Sequence, residues 1–198
     1  MGRSRVLSGF IALAAYVLFT GSAIGTTYTE GTNGDLGNVG TSPTNVALTN
    51  GSNLITGSTV SGDRDYLHVT LPGGSSLSQI LLNSYSAADL SFMGVQSGTQ
   101  VTVDPTAGTA TGLIGWTHFG PALVGTNILD DVGAGNTNGA TGFTPPLTGS
   151  DYSFWIQQTG ATLTNYQFDF VVVPEPSAVA MLVLAGGWLL PRRTRNKS

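Results

Sequence analysis

From Asn53 to Val173 the apolar residues fall in short runs, many with a period of two, cut repeatedly by Gly, Ser, Asn and Pro. No window of helical length there keeps an i, i+3, i+4 apolar stripe, so the pattern predicts strands. Leu54 to Val60 is the first. In Asp65 to Leu71, Leu67, Val69 and Leu71 alternate with Tyr66, His68 and Thr70, and Pro72, Gly73 and Gly74 supply the turn that closes the run. Leu77 to Tyr85, Leu90 to Gln96, Gln100 to Val103 and the aromatic Gly112 to Phe119 follow. The last two runs alternate most clearly. Tyr152, Phe154 and Ile156 share one face opposite Ser153, Trp155 and Gln157, and Tyr166, Phe168, Phe170 and Val172 share one face opposite Gln167, Asp169 and Val171. Joined through Thr159 to Asn165, they read as a hairpin with an aromatic core face. The expectation is an all-β domain over residues 53–173, a single two-sheet jelly-roll-like sandwich of eight or nine strands. Residues 26–52 read as a loosely structured segment, and Val132 to Thr144 as a long mobile loop.

Both ends stand apart from this pattern. Arg3 and Arg5 precede an apolar run from Phe10 to Phe19 and small residues from Gly21 to Gly25, the layout of a secretory signal peptide over residues 1–25. At the other end come Pro174, Glu175 and Pro176, an apolar run from Ala178 to Leu190, and a basic stop of Arg192, Arg193, Arg195 and Lys197. Thirteen helical residues span roughly 20 Å, short of the roughly 30 Å of a bilayer core. The tail therefore reads as a transient membrane tether whose basic end stays cytoplasmic.

Residues 174–198 resemble the PEP-CTERM sorting signal: the Pro174-Glu175-Pro176 motif, a short helix containing Gly186 and Gly187, and terminal arginines. The resemblance implies export from a Gram-negative cell by the general secretory machinery, tethering in the inner membrane, and processing by exosortase, a membrane-embedded cysteine transpeptidase. Release or attachment at the cell surface would follow, among exopolysaccharide. More weakly, Gly62-Asp63-Arg64-Asp65-Tyr66 and the run from Leu147 into the final strands resemble bacterial pre-peptidase C-terminal domains. Those are secreted β-sandwich modules, some of which bind calcium.

Charge narrows the function classes. Between Thr26 and Val173, Arg64 is the one basic residue against ten acids, a formal charge of −9. Such a surface repels phosphate backbones, which argues against nucleic acid as a partner. Cysteine is absent, so neither thiol catalysis nor disulfide staples are available.

Candidate chemistry rests on few residues. His68 and His118 lack a Gly-x-Ser-x-Gly partner motif and are too far apart in sequence to suggest a zinc site. Asp63 with Asp65, and Asp130 with Asp131, have the residue types for glycoside hydrolysis, for turn capping, or at Asp63 and Asp65 for calcium, since a hard cation needs several oxygens around one turn. Trp155, flanked by Ser153 and Gln157 on the outer strand face, offers an indole for a sugar ring, with Trp116 a second platform. The leading expectation is an exported, non-enzymatic matrix protein. A carbohydrate-binding module acting through Trp155, Gln157 and Trp116 is the alternative, and a glycoside hydrolase ranks last.

Overall fold

The computed structural model of the chain describes residues 25–176. The expected signal-peptide helix, the apolar run from Ala178 and the basic stop at Arg192, Arg193, Arg195 and Lys197 lie outside that range. Among the described residues no helix is long and apolar enough to cross a membrane.

Two five-stranded sheets face each other. The strands are β1 (Thr27–Thr29), β2 (Thr44–Ala47), β3 (Leu54–Thr59), β4 (Arg64–Thr70), β5 (Ser75–Tyr85), β6 (Ser91–Ser97), β7 (Gly115–Phe119), β8 (Leu147–Thr148), β9 (Asp151–Gln158) and β10 (Thr164–Pro174). One sheet has the order β1-β3-β10-β5-β8 and the other β2-β4-β9-β6-β7. Among the described residues, helical structure is confined to α1 (Glu30–Asn33), α2 (Leu129–Ala134) and a single 3-10 turn at Pro121–Leu123.

The alternation sets the faces as the sequence indicates. Leu67, Val69, Tyr152, Phe154, Ile156, Tyr166, Phe168 and Phe170 all enter one core between the sheets. The aromatic rings meet edge to face, with Phe154 and Phe170 at 5.2 Å and 88° across the two layers. Such pairs contribute about 0.5–1.5 kcal/mol beyond the area they bury.

Pairing departs from the expectation at four places. β9 and β10 are not a hairpin: β9 lies between β4 and β6, while β10 lies between β3 and β5 in the other sheet. Residues 26–52 are not loosely attached, because β1 and β2 add a parallel edge strand to each sheet and Leu36, Val46 and Leu48 are buried in the core. Gln100 to Val103 forms no strand, and its Val101 and Val103 instead pack on the outer face of the second sheet. Val132 to Thr144 is anchored: Val132 is buried, Phe143 packs against the core, and the Phe143 amide donates to Gly133 O at 3.0 Å.

Candidate functional site

The register of four strands assembles a site on the outer face of the β2-β4-β9-β6-β7 sheet. Tyr66 pairs with Trp155, Trp155 with Gly94 and Gly94 with Trp116, giving one cross-strand row. The next row holds Arg64, Gln157, Phe92 and His118. Cross-strand neighbours stand about 5 Å apart, so each row sets its side chains next to one another on one face. Gly94 leaves the gap between the two indoles. A Cβ there would sit 2.8 Å from a methyl of Leu113 and 3.0 Å from the Phe92 ring, which occupies the space.

Loops close over the rows and leave a cleft of about 220 Å³, lined chiefly by Phe92, Trp116, His118, Trp155, Gln157 and Asn138. Trp155 forms its floor. It is 5% exposed, stacked on Tyr66 at 6.0 Å and edge-on to Phe92 at 4.8 Å, so it is not the open platform its outward parity indicates. Val101, Val103, Ala110, Leu113 and Ala140 cover the rest of its surroundings. Trp116 is half-buried and forms the wall, stacked on Phe92 at 6.0 Å, with exposed His118 edge-on beside it at 5.6 Å. The Trp116 indole N–H is used on Thr137 O at 3.1 Å, so this ring offers a ligand its face and edge.

The polar groups are oriented by their neighbours. Gln157 Oε1 accepts from Arg64 Nε at 3.1 Å and from Trp155 Nε1 at 3.2 Å. With the carbonyl oxygen occupied twice, the Gln157 amide nitrogen is left as a donor at the cleft. The loop rim is tied together by Ala110 N donating to Asn138 O at 2.7 Å and Asn138 Nδ2 donating to Gly108 O at 3.0 Å.

The sequence matches no protein-family model, no characterised protein and no solved structure. Functional argument therefore rests on the chain's own residues.

A second cluster lies between the layers, where α1 meets β3 and β4, and it differs from the pair expected to hold calcium. Asp63 stays in the turn after β3, its amide donating to Val60 O at 2.9 Å, whereas Asp65 is inside β4 and faces inward, 0% exposed. Asp65 is gathered not with Asp63 but with Glu30 and Asp35, one carboxylate oxygen from each lying within 4.8 Å of the others. Its Oδ2 accepts from the Tyr166 hydroxyl at 2.5 Å, and its Oδ1 has no partner. Burial, opposed by the Tyr166 hydrogen bond and aided by Glu30, raises the Asp65 carboxyl to about 8. Burial likewise raises Glu30, against the hydrogen bonds that it accepts from Leu36 N at 3.2 Å and Ser58 N at 2.7 Å. Gly57 keeps the place open, since a Cβ there would lie 2.4 Å from the Tyr166 hydroxyl oxygen and 3.1 Å from Glu30 Oε1. Three carboxylates, an orphaned buried oxygen and a glycine floor fit a hard divalent cation.

The remaining expected residues are placed as follows. His68 bonds through both ring nitrogens, to Asn45 Oδ1 at 2.7 Å and Asp151 Oδ1 at 2.9 Å, so neither is left to activate a nucleophile. Asp130 and Asp131 sit in the first turn of α2, where Asp130 Oδ2 accepts from Asn127 at 3.0 Å. Pro174 is the last residue of β10, and Glu175, exposed, donates its amide to Gly74 O at 2.8 Å. Tyr66, Phe92, Gly94 and Arg64 were not singled out as site residues. Tyr66 alternates outward with His68 and Thr70 in the sequence, but no sequence signal shows which strands lie side by side.

Proposed function

We propose that this is an exported, non-enzymatic surface protein that is tethered and processed by exosortase through its PEP-CTERM tail, and that its sandwich binds exopolysaccharide in the aromatic cleft. The observation that carries the glycan part is the pair of cross-strand rows, which sets aromatic faces beside a fixed amide donor in one concave place. Sugar rings stack their C–H faces on aromatic rings while their hydroxyls need donors and acceptors at the edge, and the cleft supplies both. The strand order β3-β10-β5-β8 opposite β4-β9-β6-β7, with β1 and β2 as added edges, supports a jelly roll, a framework of two interlocked Greek keys.

The test uses Trp116 rather than Trp155, because truncating buried Trp155 would cost the fold about 3–5 kcal/mol. Titration calorimetry against exopolysaccharide fragments should give binding that Trp116→Ala weakens roughly tenfold or more, with an unchanged circular dichroism spectrum. Undiminished binding in Trp116→Ala and Gln157→Ala alike would remove the cleft from the function.

The orphaned Asp65 Oδ1 favours a second, compatible reading: a calcium ion held by Glu30, Asp35 and Asp65 that ties α1 and its flanking segment to the sandwich. Calcium would offset the repulsion among three carboxylates. Thermal unfolding should shift upward in millimolar calcium and return on chelation, and Asp35→Asn should abolish most of that shift. An unfolding curve indifferent to calcium and chelator would eliminate this reading.

A further inference from the structure

Arg64 is the one basic side chain between Thr26 and Val173, yet it has no carboxylate partner, the sole ion pair among the described residues being His68 with Asp151. It stands at the end of the row that runs through Gln157 to the cleft, and only its Nε is used, on Gln157. Building on the glycan-binding reading above, we infer that the cleft selects acidic sugars, a uronic acid carboxylate being held by Arg64 and the Gln157 amide while a ring lies along Trp116.

Three observations converge. The terminal guanidinium nitrogens form a planar fork that matches a carboxylate's two oxygens, and such charge-assisted pairs are roughly twice as strong as neutral ones. The Gln157 amide beside it is fixed as a donor by its doubly occupied carbonyl, so the two neighbouring groups both call for an acceptor. Arg64 also lines a second cleft of about 260 Å³ with Tyr66, Val101, Val103 and Asn38, and Pro105 borders both clefts. Arg64 thus lines one cleft while its Nε holds Gln157, which lines the other. Asp104 lies within electrostatic reach of Arg64, but its Oδ1 is engaged by Thr106, accepting from the amide at 2.8 Å and the hydroxyl at 2.7 Å. Because the domain as a whole is strongly acidic, it does not attract polyanions by its overall field. Selection rests on one placed cation, and affinity should fall with salt only as for a single ion pair.

The experiment compares oligouronates (galacturonate, mannuronate, guluronate) with their methyl esters by calorimetry at pH 7 and physiological salt, using the full chain as exported by its native host. The expected result is at least one free-acid oligomer bound roughly tenfold tighter than its ester. Arg64→Gln should erase that difference, Arg64→Lys should restore part of it, and Trp116→Ala should weaken acid and ester together. Equal binding of acid and ester, or a difference that survives Arg64→Gln, overturns the acidic-sugar inference and leaves glycan binding standing. Dextran sulfate bound as tightly as the best oligouronate would also overturn it, by reducing the effect to ion exchange. If neither the oligouronates, their esters nor exopolysaccharide fragments bind, both readings fall.

Discussion

Asp65 and Tyr166 join the two sheets at the scale of single residues. Asp65 belongs to β4 and Tyr166 to β10, and their hydrogen bond crosses the layers inside the core. Tyr166→Phe leaves a buried carboxyl with neither oxygen partnered and should destabilise the fold by about 1–3 kcal/mol in urea titrations. The sign of the pH effect follows from the direction of the shift. A carboxyl raised to about 8 keeps its proton in the folded state where the unfolded chain has released it. Stability without divalent cation should therefore be highest near pH 4 and decline as the pH climbs toward 8. Asp65→Asn should flatten that decline, and an equally steep curve in the variant would assign the effect to another group. From sequence, Asp65 read as one half of an Asp-x-Asp turn. Its inward parity with Leu67 and Val69 was legible, but its partners Glu30 and Tyr166 lie 35 and 101 residues away.

At the scale of elements, the five residues between β9 and β10 suggested a hairpin, and the chain uses them to cross between layers. Thr159 Oγ1 donates to Leu90 O and Thr162 Oγ1 to Asp89 Oδ2 at 2.9 Å, so the link is fastened to the β5-β6 connection instead of closing a tight turn. Two strands with aromatic-rich inner faces then oppose each other through the core rather than lying side by side. α2 escaped the periodicity search because six residues show only one repeat, Leu129 and Val132, on the buried side. It packs close to β7, where a Cβ on Gly115 would meet Val132 O at 2.3 Å. β1 and β2 are short and polar, yet the loops beside them deliver Leu36 and Leu48 to the core, and β2 delivers Val46. A chain begun at Asn53 would forfeit those three side chains at about 1.5–3 kcal/mol each, a large part of a typical domain's 5–15 kcal/mol. Tryptophan fluorescence of that truncated chain should show no cooperative urea transition, whereas a normal midpoint would make residues 26–52 dispensable.

At the scale of the whole molecule, an acidic sandwich leads into a stiff, exposed exit. β10 ends at Pro174, and Glu175 is exposed beside it at the end of the strand. On the exosortase reading, Glu175→Ala should leave full-length protein in the membrane fraction of the native host, seen by immunoblot. Normal shortening and release of that variant would retire the tail assignment. The alternating runs by themselves determined that the sandwich is built of strands and which faces of β4, β9 and β10 turn inward, because side-chain direction along a strand is a local property of the backbone. Composition alone fixed the strongly acidic, cysteine-free character of the domain. Only the tertiary structure decided which strands are neighbours and in what register. Those choices depend on contacts between residues far apart in the chain, and they bring Gln157, Phe92 and Trp116 to one cleft with Arg64 beside Gln157, and Glu30, Asp35 and Asp65 to one cluster.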